Sequence, residues 1–175
     1  AIIFSKTEEI ANKIDRAVFP GLQGGPHLHP IAAMTQCLFE AERKDYKIYC
    51  QRILANAEAM VSVLQRNGFA IVTGGTDTHL WLIDGRNKGL TGTQAQDRLE
   101  SQAIIVNKNS VPHDPAPPLS PSGVRMGTPA ITTRGFGEDE SRTLAEVISA
   151  ILEGQRFPHS TLKQLIMTHP IPGHT

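Results

Sequence analysis

The chain has 175 residues, 39% of them hydrophobic and 19% charged, a balance that supports a packed core and excludes an intrinsically disordered polymer. Seventeen basic and seventeen acidic residues cancel, which argues against nucleic acid or an anionic lipid surface as partner and favours a small neutral or zwitterionic substrate. No apolar run is long enough to cross a bilayer, so no membrane partner is expected.

Ala1-Ile2-Ile3-Phe4 is too short for the core of a signal peptide, and a start without Met points to a processed or incomplete chain. Ile2 to Phe4 reads as a short buried strand. Thr7 then caps a helix whose first turn carries Glu8 and Glu9 at the positive end of the dipole, with Ile10, Ile14 and Ala17 or Val18 on one buried face. It stops before Pro20, and Phe19 to Pro26 is a loop punctuated by Gly and Pro. From about Pro30 to Asn67 the pattern is helical, with two apolar stripes separated by the charged stretch Glu40 to Lys47. So long a run implies two helices or one bent helix, with a domain boundary near Lys44. Residues 1–44 and 45–175 are therefore expected to belong to different domains. Cys37 and Cys50 fall on this stretch, about 20 Å apart at helical rise. Free thiols in a reducing setting, the cytoplasm or an organelle matrix, are the expectation, with the cytoplasm as the assignment.

After Gly68, a C-cap, the period becomes that of strands. Phe69 to Val72 and His79 to Ile83 form a predicted hairpin about the turn Thr73 to Asp77. Thr91 caps a short helix to about Gln102, and Ala103 to Val106 is a third predicted strand. Asn107 to Pro121 is a polar, Pro-rich loop, long enough that function or disorder is expected of it. A fourth strand covers Gly123 to Met126. Leu144, Val147, Ile148, Ile151 and Leu152 mark an amphipathic helix closed by Gly154, and Thr161 to Thr168 is a last short helix. A hairpin with interleaved helices describes an α+β layer of sheet and helices.

Several side chains stand out by chemistry. Consecutive Gly24 and Gly25 let backbone N–H groups approach an anion, although Gly pairs also mark plain turns. Arg125, between Gly123 and Gly127, has space for a guanidinium fork that grips a carboxylate; the alternative is a surface ion pair. Asn109 heads the long loop and can donate and accept, or close an Asx turn. His27 and His29 lack further Cys or acid ligands, so no metal site is expected. His79 opens a strand and reads as a structural residue. His113 reads as solvated in the loop, and His159, His169 and His174 as tail residues. Arg134 braces a loop or an interface.

Three segments, Phe19-Pro-Gly-Leu-Gln-Gly-Gly-Pro26, Val106-Asn-Lys-Asn-Ser-Val-Pro112 with Asp114-Pro115, and Ser122-Gly-Val-Arg-Met-Gly-Thr-Pro-Ala-Ile-Thr132 with Arg134-Gly135-Phe136, closely resemble motifs of the serine hydroxymethyltransferase family in its order and spacing. Gly74 to Leu80 is a fourth match. The resemblance implies a pyridoxal-phosphate (PLP) enzyme of the aspartate-aminotransferase-like fold, fold type I. Residues 1–44 would be the end of its large α/β domain, and residues 45–175 its small C-terminal α+β domain. It implies transfer of a hydroxymethyl carbon between serine and tetrahydrofolate, giving glycine, in a homodimer or tetramer. Arg125 would hold the substrate carboxylate, Gly24 and Gly25 the PLP phosphate of the other subunit, and Asn109 the folate. The Schiff-base lysine would lie upstream of Ala1, so no catalytic residue is expected in these 175 residues, which should be inactive alone. Ala116-Pro117-Pro118-Leu119 departs from the polar or basic residues often found there, so no folate-tail contact is carried over. Another fold-type-I PLP enzyme, or a non-catalytic dimerisation or binding module, is the alternative.

Overall fold

A computed structural model describes residues 2–172; His174 lies outside them. The chain divides into two compact units, Ala1–Arg43 and Lys44–Thr175.

In the first unit, α1 (Glu8–Arg16) starts at Thr7, whose hydroxyl accepts from the Ile10 amide as the sequence anticipates. A tight turn over Ala17–Leu22, with a cis Phe19–Pro20 bond, follows it, and then α2 (Leu28–Ala41). None of residues 2–43 is buried. The strand expected at Ile2 to Phe4 is not formed, because no strand of this unit lies alongside to take its hydrogen bonds.

The second unit carries the core. The helical run breaks at Glu42 and Arg43, and α3 (Lys44–Arg66) begins there. A four-stranded antiparallel sheet follows, β1 (Ala70–Ile71), β2 (Leu80–Asp84), β3 (Asn107–Asn109) and β4 (Gly123–Gly127), in the order β1-β2-β4-β3. Helices α4 (Gly92–Glu100), α5 (Pro129–Thr133), α6 (Glu138–Leu152) and α7 (His159–Thr168) complete it. Thr91 and Gln94 form a reciprocal cap at α4, each side chain bonding the other's backbone N–H. Among the described residues no helix is long and apolar enough to cross a membrane.

Alternation along the strands sets the two faces of the sheet. Trp81, Ile83, Val124 and Met126 join Met60, Val63 and Leu64 of α3 and Leu144, Ile148 and Leu152 of α6 in one core. The opposite face carries Leu80, Leu82, Asp84, Arg125 and Asn107, none of them buried. The third strand lies four residues beyond its expected place. Ala103 takes a left-handed backbone (φ 60°), and the Ile104 amide donates back to Leu99 O, so the chain is still turning out of α4 there. Ile104 and Val106 pack on the core as irregular backbone, and pairing begins at Asn107. The short helix α5 has no counterpart in the sequence reading.

A polar strut ties α3 to α5. Asn56, 1% exposed, donates to Thr132 Oγ1 (2.9 Å) and to Phe136 O (2.9 Å), and Thr128 Oγ1 donates to Ile53 O (2.8 Å). Replacing Asn56 with Ala strands a buried carbonyl and hydroxyl. The expected loss of stability is about 2–4 kcal/mol, read as a lower urea midpoint at unchanged slope. A loss below about 0.5 kcal/mol would remove Asn56 from this role.

Candidate functional site

β4 runs between β2 and β3, with Leu82 and Asn107 opposite Arg125. The neighbours Val124 and Met126 point into the core, which obliges Arg125 to point away from it. Its guanidinium is exposed and makes no hydrogen bond or ion pair to any described residue. The ion-pair alternative therefore fails within the described chain. Asp84, the acid on the same sheet face, is engaged elsewhere. Arg86 Nε lies 2.9 and 3.0 Å from its two oxygens and Arg86 Nη2 2.6 Å from Oδ2, and that fork holds the carboxyl below its ordinary range. Arg125 lines an open groove of about 390 Å³ together with His79, Leu80, Ile105 and Asn107. An unpaired fork in a concave site is chemically suited to an incoming carboxylate.

The structure corrects the reason for the flanking glycines. A Cβ on Gly123 would lie 2.6 Å from Val111 Cγ1, 2.8 Å from Asn109 O and 2.9 Å from Ile83 O. Gly123 thus lets two strands and the following loop close together, rather than clearing space for the guanidinium.

Asn109 sits on β3 opposite Gly123, two residues from the partner of Arg125. By strand alternation Asn109 and Arg125 share the outer face, so the register brings these two predicted residues together. Asn109 is half-buried, and its Nδ2 donates to Ser110 O at 2.8 Å. His79, expected to be a satisfied structural residue, instead exposes its ring in the groove and makes no side-chain hydrogen bond to any described residue. Asn107, which sequence reasoning passed over, lies beside it. A period-2 reading of Asn107 to Asn109 as a strand would have found it.

The loop over residues 110–122 is knotted by Asp114. Its carboxylate accepts from the amides of Val111 (3.2 Å), Ala116 (3.0 Å) and Ser122 (2.9 Å) and from Ser122 Oγ (2.7 Å). These bonds, led by those from Ser122, hold the carboxyl well below the ordinary carboxylate range. Asp114 therefore joins the end of β3 to the start of β4 and maintains the register between Asn109 and Gly123. The segment Pro117 to Leu119 is exposed, with Leu119 O accepting from Lys108 Nζ at 2.9 Å.

Gly24 and Gly25 belong to the first unit. A Cβ on either would meet nothing within 4 Å, and neither has positive φ. The fold of this unit does not require glycine at either place. Their bare backbone faces solvent, as an anion cradle needs. The rings of His27 and His29 stand 5.9 Å apart. Among the described residues no three His, Cys, Asp or Glu side chains converge as a metal cluster, and Cys37 and Cys50 are free thiols.

Asp114 generates an acid-limb prediction. A carboxyl depressed on folding contributes stability that is complete above its unfolded pKa, near 3.8, and is lost as pH falls toward the folded value. The chain should lose stability as pH drops below about 4, and Asp114→Asn should both weaken it at neutral pH and flatten that limb. Thermal melts from pH 7 to pH 2 measure this; equal slopes for the two proteins would show the carboxylate is not responsible.

The serine hydroxymethyltransferase family model matches residues 4–148. Serine hydroxymethyltransferase 2 of Burkholderia pseudomallei, in strains 1710b and K96243, is 50% identical over 154 residues, covering 88% of this chain. A serine hydroxymethyltransferase of Legionella pneumophila (strain Lens) is 51% identical over 152 residues, 87% of the chain. In each case the chain spans 36% of the relative's length. With the match running from the first unit into α6, the chain belongs to the serine hydroxymethyltransferase family.

Proposed function

We propose that this chain is the C-terminal part of a PLP-dependent serine hydroxymethyltransferase, which interconverts serine plus tetrahydrofolate with glycine plus 5,10-methylenetetrahydrofolate. The α+β unit is then the small domain of a fold-type-I enzyme, and residues 1–44 finish its large domain. The observation that carries the reading is Arg125, an unpaired guanidinium lining a groove on the same sheet face as Asn109. The first unit adds support. Its apolar side chains, Phe4 (91% exposed) and Leu22 (87%) among them, have no core of their own, as befits a piece of a larger domain.

In this reading Arg125 holds the amino acid's carboxylate through two parallel hydrogen bonds and so fixes the orientation of the bond to be broken. Gly24 and Gly25 offer backbone N–H groups to the cofactor phosphate of a neighbouring subunit, in a homodimer or tetramer in the cytoplasm. PLP, when bound, supplies the electron sink for the charge left on the α-carbon. Asn109 places the folate beside it by donating and accepting at the ring edge. The Schiff-base lysine and the groups that move protons belong to the upstream part, so the 175 residues alone supply binding and orientation.

Two measurements on the holoenzyme containing this segment test the assignment. Arg125→Lys keeps the charge but loses the fork, and kcat/KM for serine should fall roughly 100-fold, with the cofactor still bound. An unchanged kcat/KM would falsify the carboxylate role. Gly24→Ala with Gly25→Ala should leave the urea midpoint of the cofactor-free protein in place, because neither Cβ meets a described residue, yet weaken PLP retention about tenfold. Full retention by the double variant would end the phosphate role.

A further inference from the structure

A three-residue strand is a weak mount for a binding residue, and Asn109 stands at the far end of β3. The strand's start is well held. Asn107 pairs with Arg125, and Gln96 Oε1 accepts from the Lys108 amide at 2.9 Å. Past Asn109 the chain leaves the sheet, and of residues 110–120 only Val111 is buried. Apolar packing alone therefore gives this end of the strand little to hold it.

Rigidity reaches it from the other end of the loop. The Gly92 amide donates to Pro121 O at 2.7 Å and the Gly85 amide to Ser122 O at 2.9 Å, so the buried Pro121 and Ser122 are fixed to the body of the unit. Ser122 presents both its amide and its hydroxyl to the Asp114 carboxylate, which also accepts from the amides of Val111 and Ala116. Next to it, His113 takes a left-handed backbone (φ 54°), uncommon outside glycine. Such a conformation persists only where its surroundings determine it. A path of constraint thus runs from Gly85 and Gly92 through Ser122 and Asp114 to Val111, two residues from Asn109. The Asn109 amide is set by the same segment, because its Nδ2 donates to Ser110 O at 2.8 Å. That bond leaves Oδ1 and the second N–H available to a ligand. Arg125 has no such dependence, since it sits within a five-residue register against β2.

We propose that Asp114 is a positioning residue for the one-carbon acceptor: it fixes Asn109 against the folate and leaves the grip of Arg125 on the amino acid untouched. The inference rests on the folate role proposed for Asn109 and extends it to a residue that touches neither substrate. A binding group is only as well placed as the bonds that support it. Here that support is one carboxylate, and its loss frees Ser110 and Val111 to move and the Asn109 amide to turn with them.

In the PLP-loaded holoenzyme containing this segment, Asp114→Ala should raise KM for tetrahydrofolate about tenfold, with KM for serine and kcat within about twofold of the parent. A lesion of stability alone would lower the active fraction, and so the apparent kcat, without separating the two KM values. Ser122→Ala removes one of the four bonds and serves where Asp114→Ala does not fold; it should raise KM for tetrahydrofolate about threefold. Asn109→Ala sets the ceiling. Adding Asp114→Ala to it should raise KM for tetrahydrofolate no further, because Asp114 acts through that side chain. Should Asn109→Ala by itself leave that KM unchanged, the folate role fails and this inference with it. Should Asn109→Ala raise it while folded Asp114→Ala or Ser122→Ala does not, Asp114 has no positioning role and the folate reading stands. Equal rises in both KM values, or effects that multiply in the double variant, likewise overturn the proposal.

Discussion

The placement of β4 between β2 and β3 is the constraint on which the second unit depends. Five consecutive residues must send Val124 and Met126 into the core while Gly123, Arg125 and Gly127 lie on the other face. A one-residue slip would bury the guanidinium and expose two core side chains, so the hydrophobic pattern enforces the register strongly. The direction of Arg125 is thus a by-product of packing Val124 and Met126. A cation with no counter-charge among the described residues is thus directed to the solvent-facing side by apolar residues on either side of it.

Register alone would not hold β3, a strand of only three residues with two of them exposed. Asp114 supplies the missing constraint. By accepting from amides at both ends of the loop it converts a long, Pro-rich connection into a clasp. The four bonds explain why residues 110–122 are ordered with so little apolar content: a charged acceptor substitutes for a hydrophobic anchor. Elsewhere in the unit, the strut from Asn56 to Thr132 and Phe136 does comparable work for α5, which follows β4 directly. Polar interactions therefore hold the segments on either side of β4, and the apolar core holds β4 itself.

Much of this was legible in the sequence, in proportion to how local the determining physics is. Caps and amphipathic stripes act within a few residues, and Thr7, Thr91 and the Leu144 to Leu152 stripe all located real helices. The failures are non-local. Ile2 to Phe4 has strand composition without a partner strand. Ala103 to Val106 has it too, but the left-handed turn at Ala103 delays pairing until the polar Asn107. A strand of three polar residues on a sheet edge has no hydrophobic signature to read. At the candidate site the residue types of Arg125 and Asn109 drew notice. Their shared face emerged only from the pairing register, and the loop's dependence on Asp114 only from four hydrogen bonds that reach up to eight residues along the chain.

The glycines separate structural from functional demand more cleanly than any charged residue here. Gly123 is surrounded by Val111, Asn109 and Ile83 so closely that any Cβ would collide, and the fold is sufficient reason for it. Gly24 and Gly25 have open space where a Cβ would go and ordinary backbone angles, so neither sterics nor strain within their unit excludes alanine. Glycine costs conformational entropy at every position it occupies. Where the local fold returns nothing for that cost, the reason for glycine does not lie in the sterics of the described residues. The phosphate contact proposed for Gly24 and Gly25 would supply the demand that their own unit does not.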